Sequence, residues 1–119
     1  MKLRVLVCGG RDYKDAATLT AVLNVINADL GIDCIIEGHA RGADRMAGTW
    51  AVNNKIEVEI YPADWNKYGR RAGYVRNIQM AEEGKPHMIV AFPGGRGTQM
   101  MKDIGNQKHI PVYRHDEWI

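Results

Sequence analysis

Six residues, Pro93-Gly94-Gly95-Arg96-Gly97-Thr98, follow directly on the apolar run His87-Met88-Ile89-Val90-Ala91-Phe92. A buried strand ends there, and a helix is expected to start at Thr98. Glycines without a Cβ let backbone lie against a ligand and turn several N–H groups towards one point. A helix N-terminus adds a partial positive charge, and Arg96 adds a full one with a planar fork of donors. That combination suits a phosphate group.

Two more loops carry the same residue types. Gly9-Gly10-Arg11-Asp12-Tyr13 follows an apolar run at Leu3–Cys8, and Gly38-His39-Ala40-Arg41-Gly42-Ala43-Asp44 follows another at Cys34–Glu37. Neither the Gly-X-Gly-X-X-Gly fingerprint nor the lysine-serine pair of the P-loop is present. One such loop would be no more than a tight turn with a solvated arginine. Three, each with an arginine, point to a ligand site if the fold gathers them on one edge.

The elements that must do the gathering are legible from periodicity. Strands are expected at Leu3–Cys8, Cys34–Glu37, Glu57–Tyr61, His87–Phe92 and Val112–Arg114. Helical spacing covers Asp15–Leu30, Ala43–Asn53, Ala72–Glu83 and Thr98–Lys108. Strict alternation predicts an α/β fold, a three-layer Rossmann-like domain with a parallel five-stranded sheet, spanning residues 1–119 as one domain. The three glycine loops then share the carboxyl edge. In a Rossmann-like order the reversal falls between the first and fourth strands, where such sheets bind ligands. Pro62–Arg71, with Trp65 and Tyr68, is left as a ten-residue irregular stretch, a length more often functional than passive.

Other residues have two readings each. Asn77 lies on the packing face of its helix and either contacts ligand or holds a loop backbone. Arg76, beside it, either reaches over the carboxyl edge or is solvated. Asp12 and Asp44 stand near helix starts, as caps or as partners for ribose hydroxyls. His39 is either a loop histidine bonded to backbone, the favoured reading, or a catalytic group. Trp65 and Tyr68 either stack on a base or sugar, or cover the core edge or a dimer interface.

Composition sets the outer bounds. The chain has 119 residues, 45% hydrophobic and 25% charged, ordinary for a globular domain. A net charge of +2 gives no argument for nucleic acid, and no run of about 20 apolar residues is present to span a bilayer. Cys8 and Cys34 sit inside expected strands as small apolar residues in a reducing compartment, and the cysteines and histidines lack metal-site spacing. The expectation is a cytoplasmic protein with no metal, no cofactor and no membrane partner.

The segments Cys-Gly-Gly-Arg-Asp-Tyr, Gly-His-Ala-Arg-Gly-Ala-Asp, Pro-Ala-Asp-Trp-Asn-Lys-Tyr-Gly, Ala-Gly-Tyr-Val-Arg-Asn and Ala-Phe-Pro-Gly-Gly-Arg-Gly-Thr fall in order along nearly the whole chain. With them the chain resembles the YspA-type, YpsA-related group of the SLOG superfamily. The resemblance implies a Rossmann-like fold and a nucleotide or nucleotide-derived ligand. More distantly, the chain resembles the Lonely Guy type phosphoribohydrolases, whose signature is Pro-Gly-Gly-X-Gly-Thr-X-X-Glu with an arginine on the preceding helix. Pro93 to Thr98 match its first part and Arg76 matches the helix arginine, but Met101 stands where the glutamate would be, with Met100 beside it. Methionine cannot move a proton or steady an oxocarbenium-like charge.

The expected site therefore has Gly10, Arg11, Gly94, Gly95, Gly97 and Thr98 around a phosphate, with Gly9 and Pro93 also among the ligand-binding residues. Arg96 and Arg76 supply charge, and Asn77 lies alongside. Gly42 and Asp44 form the opposite wall, and Asp12 or Asp44 bonds ribose. If any catalysis occurs, Asp44, Asp12 or Glu37 must replace the missing carboxylate. The expected use is as a sensor or sequestering module for a nucleotide-like small molecule, with N-glycosidic hydrolysis as the alternative and nucleic-acid binding as a third class. Relatives with this loop commonly associate, and the Trp65–Tyr68 segment with the methionines offers apolar surface, so a homodimer is expected.

Overall fold

In β1 (Leu3–Cys8), Val5 and Val7 point into one apolar cluster and Leu6 and Cys8 into another, so successive side chains serve opposite faces of the same strand. This is why the run is continuously apolar rather than alternating. A computed structural model of the chain describes residues 2–119. Its remaining strands are β2 (Ile32–Glu37), β3 (Glu57–Ile60), β4 (Met88–Ala91) and β5 (Val112–Arg114). All pair in parallel, in the order β3-β2-β1-β4-β5. Val5 faces Ile35 on one side and Met88 on the other. The order reverses between β1 and β4, as expected of an open α/β sheet.

The helices are α1 (Ala16–Leu30), α2 (Ala43–Asn53), α3 (Trp65–Tyr68), α4 (Ala72–Glu83) and α5 (Arg96–Gln107). Leu19, Val22, Leu23 and Ile26 of α1 and Ala47, Trp50 and Ala51 of α2 close one face. Met80 and Ala81 of α4 and Met101 and Ile104 of α5 close the other. Asp15 caps α1, its carboxylate accepting from the Thr18 N–H at 3.0 Å and the Thr18 hydroxyl at 2.6 Å. Gly31, at φ 78°, ends that helix in a conformation that favours glycine. The third strand lies at the sheet's edge, which is why it tolerates Glu57 and Glu59 among its residues.

Two expectations are corrected here. Pro62–Arg71 is not irregular throughout: Asp64 caps the short helix α3 by accepting from the Lys67 N–H at 3.1 Å, and a 3-10 turn at Gly69–Arg71 leads into α4. Helix α5 starts at Arg96, two residues before Thr98, with Gly95 as its cap. Glycine's low helix propensity hid that first turn. No helix among the described residues is long and apolar enough to cross a membrane.

Candidate functional site

The loops after β1, β2 and β4 meet at the carboxyl edge, and backbone joins them. The Gly10 N–H donates to the Pro93 carbonyl at 2.8 Å, and the Gly10 carbonyl accepts from the Ala43 N–H at 3.3 Å. A Cβ on Gly10 would lie 3.0 Å from the Pro93 oxygen, and one on Gly94 would lie 2.7 Å from the Gly10 nitrogen. Gly42, at φ 83°, leaves no room for a side chain against the backbone of Gly10 and Arg11. Gly9 is similarly tight against Ala43 and Phe92. These four glycines let the three loops touch. The Gly10 N–H, expected to serve a phosphate, serves Pro93 instead.

Gly95 and Gly97 differ: a Cβ on either would meet nothing within 4 Å. With Thr98 they line a crevice of about 400 Å³ between the β1 and β4 loops and α4. In an α-helix the first N–H groups have no carbonyl partner within the helix. The first turn of α5 has no side-chain cap, and its first intrahelical acceptor, the Gly95 carbonyl, serves Gln99 at 3.0 Å. The N–H groups of Arg96, Gly97 and Thr98 are thus left for a ligand or solvent.

Of the expected site residues, Gly9, Gly10, Arg11, Asp44, Arg76, Asn77, Gly95, Gly97 and Thr98 all line this crevice. Pro93 and Gly94 line a smaller recess on the far side of the β4 loop. Arg96 is exposed on the first turn of α5 and does not line the crevice. Gly42 does not line the crevice and packs against the backbone of Gly10 and Arg11. Asp12 is turned outward in an exposed ion pair with Arg41 at 3.2 Å, and it caps no helix.

Helix α4 contributes a fixed pair. Asn77 is buried; its amide nitrogen donates to the Gly97 carbonyl at 3.2 Å, and its amide oxygen accepts from Arg76 Nε at 3.0 Å. Asn77 therefore holds the glycine loop, one of its two readings. Arg76 Nη1 donates to the Gly38 carbonyl at 2.6 Å, which ties α4 to the β2 loop. Burial holds the Arg76 pKa below its ordinary value; Asp44 opposes that and Arg11 adds to it. Arg11 stands over the Trp65 ring, 5.5 Å from its centroid.

Two carboxyls lie close behind. Asp44, 6% exposed, sits in the first turn of α2 and accepts from the Ala40 N–H at 3.3 Å. Burial pushes its pKa up to about 6, against the Ala40 bond and Arg76. Glu37, 2% exposed, ends β2 and accepts from the His39 N–H. Burial pushes it up to about 7, with Asp44 adding to the rise. Asp44 lines the crevice and Glu37 does not. Cys8 also reaches the crevice, but burial raises its thiol to about 12, so it is protonated and no nucleophile.

Position 101 does not look into the crevice. Met101 is fully buried with Leu6, Cys8 and Ile89, and it is Met100 that lines the crevice. Asp103 is exposed and accepts from Gln99 at 2.9 Å, so it points away. Sequence reasoning placed neither Tyr74 nor Trp65 firmly in the site, yet both line it. The signal for Tyr74 was its place one turn from Asn77 and Ile78 on α4. Among the described residues, Cys34, Glu57 and Glu59 bring their donor atoms within 4.8 Å of one another. Arg4 already pairs with Glu59 at 2.6 Å there, and the cluster lies outside the crevice lining.

A family model described as YspA, cpYpsA-related SLOG family matches residues 3–68, from β1 through α3. The chain belongs to that SLOG family. The matched span carries Gly9, Gly10, Arg11, Gly42 and Asp44. The chain is also 36% identical over 118 residues to the Gene 61 protein of Mycobacterium phage D29, covering 92% of this chain and 93% of that one. Among solved structures, the phosphoribosylglycinamide formyltransferase of Coxiella burnetii in complex with CHES aligns with a TM-score of 0.49 at 18% identity, over 81% of this chain. The SLOG chain spans 43% of that structure's length.

Proposed function

We propose that this SLOG domain binds a nucleotide or nucleotide-derived, phosphoribosyl-type ligand in the crevice at the carboxyl edge, as a sensor or sequestering module. The observation that carries this reading is the meeting of the uncapped first turn of α5 with Arg11 and Arg76 in one crevice. Oriented N–H groups and guanidinium forks are what a phosphate needs. Half-exposed Trp65 and Tyr74, lining the same crevice, supply surface for a base or sugar. The absence of a carboxyl at positions 100 and 101, and the protonated Cys8, favour binding without chemistry.

The test is calorimetric titration of the purified protein with nucleoside 5′-monophosphates, beside mass spectrometry of small molecules released on denaturation. Binding that weakens in Arg76→Ala supports the reading; no binding by any nucleotide, and no released ligand, sinks it.

One observation favours a second reading. Asp44 is a crevice carboxyl with a pKa of about 6, in the range where a side chain exchanges protons near neutral pH. In a hydrolase of the N-glycosidic bond it would replace the missing glutamate. Rapid release of free base by the unaltered protein, lost in Asp44→Asn, would establish that alternative.

A further inference from the structure

A second cleft, of about 490 Å³, opens beside the crevice, between the β2–α2 loop and the segment leading into α3. Four arginines line it: Arg11, Arg41, Arg45 and Arg76. They come from three separate stretches of chain, so no local sequence run explains their convergence. Arg11, Arg76 and Trp65 line both spaces and form the neck between them.

Direct ion pairs meet few of these charges. Among the described residues, Arg41 alone of the four has an ion pair, with Asp12. Arg45 Nε donates to the His39 carbonyl at 3.1 Å, and Arg76 spans the Gly38 carbonyl and Asn77. These are neutral acceptors. They orient each guanidinium without pairing it. The carboxyls near enough to act on these charges, Asp44 on Arg11 and Arg76 and Glu37 on Arg45 and Arg76, are buried, have raised pKa values and accept from backbone N–H groups instead. Like charges gathered around a concavity raise the local concentration of anions there. His39, at φ 60°, is held in its left-handed conformation by Glu37 at its N–H and Arg45 at its carbonyl. The cleft wall is therefore set by bonds rather than left to a free loop.

We infer that the crevice ligand carries a second phosphate group, seated in this arginine cleft, so that the ligand class is a nucleotide with at least two phosphates. The inference rests on the nucleotide reading of the crevice. The first phosphate meets the α5 turn; the second passes the neck at Arg11 and Arg76 and meets Arg41 and Arg45.

The experiment compares nucleoside 5′-monophosphates with the 5′-diphosphates and 3′,5′-bisphosphates of the same four bases, by calorimetry at one salt concentration. At least one doubly phosphorylated probe should bind about tenfold or more tightly than its monophosphate, the gain expected of one additional charge-assisted contact. Arg45→Gln should erase the gain and leave monophosphate affinity unchanged, because Arg45 does not line the crevice. Arg45→Lys should keep part of it. Arg41→Gln serves as a second variant if Arg45→Gln does not fold. Equal affinity for one and two phosphates in the native protein, or a gain that survives in the glutamine variants, overturns the inference while leaving the parent reading standing. If no nucleotide binds, the parent reading fails and this one with it.

Discussion

Arg76 Nη1 and the carbonyl oxygen of Gly38 lie 2.6 Å apart, joining the fourth helix to the loop after the second strand. The contact exists because residue 38 has no side chain: a Cβ there would lie 2.5 Å from that same nitrogen. Arg76→Ala should weaken a phosphorylated ligand by about 1.5–3 kcal/mol. Gly38→Ala should push the guanidinium aside and weaken binding as well, while the unfolding midpoint changes little, since the displaced group is the end of a flexible chain. Arg96→Ala should cost less, about 1 kcal/mol, because that side chain is exposed outside the crevice. Titration calorimetry of the three variants orders them; an Arg96 effect larger than that of Arg76 would reverse the assignment.

Glu37 should make stability depend on pH. Its folded pKa, about 7, lies above the ordinary value of 4.5, so between those values the folded state binds the proton that the unfolded chain releases. Its contribution is fully present below about pH 4.5 and is lost as pH rises through about 7. Asp44, raised from 3.8 to about 6, acts in the same sense. Glu37→Gln should flatten the stability profile between pH 4.5 and 7, with a difference from the native protein approaching roughly 3 kcal/mol at the upper end. Urea unfolding across that range measures it, and parallel profiles for the two proteins would show that Glu37 is not the group responsible.

The two methionines of the fifth helix should respond oppositely to a carboxylate. Met101→Glu places a charge in a fully apolar cluster and should destabilise by about 3 kcal/mol or more. Met100→Glu puts the carboxylate at the crevice, with little loss of stability. If the phosphate cradle is otherwise competent, only the latter should gain a trace of base release from nucleoside monophosphates, over a native protein with little or none. Thermal melts and a base-release assay separate the two; a stable, active Met101→Glu would refute the placement.

A homodimer is expected still, on a smaller surface than the sequence suggested. Met80, Met88 and Met101 are buried and Trp65 belongs to the crevice, which leaves half-exposed Tyr68, Ile60 on the third strand and exposed Val52. Light scattering should give twice the 13.4 kDa chain mass, and Tyr68→Glu should shift it towards the monomer. A monomer mass at every concentration excludes the dimer.

The alternation of apolar runs and helical spacings carried the α/β architecture, because burial on both faces of a parallel sheet leaves a signature in each strand separately. The reversal between the first and fourth strands followed from that architecture, and with it the edge on which the Gly9, Gly38 and Pro93 loops gather. Local sequence could not sort the glycines. Gly10, Gly42 and Gly94 serve contact between loops, whereas Gly95 and Gly97 stay open, and the difference lies in neighbours that are distant in the chain. The same holds for charge. Arg11, Arg45 and Arg76 look like solvated arginines one at a time; the fold turns them on one space and leaves Arg96 outside it. Met101 shows the limit most plainly. A motif places the residue by spacing, but one step of 100° around a helix separates the crevice from the core, and only packing against Leu6 and Ile89 decided which side it took.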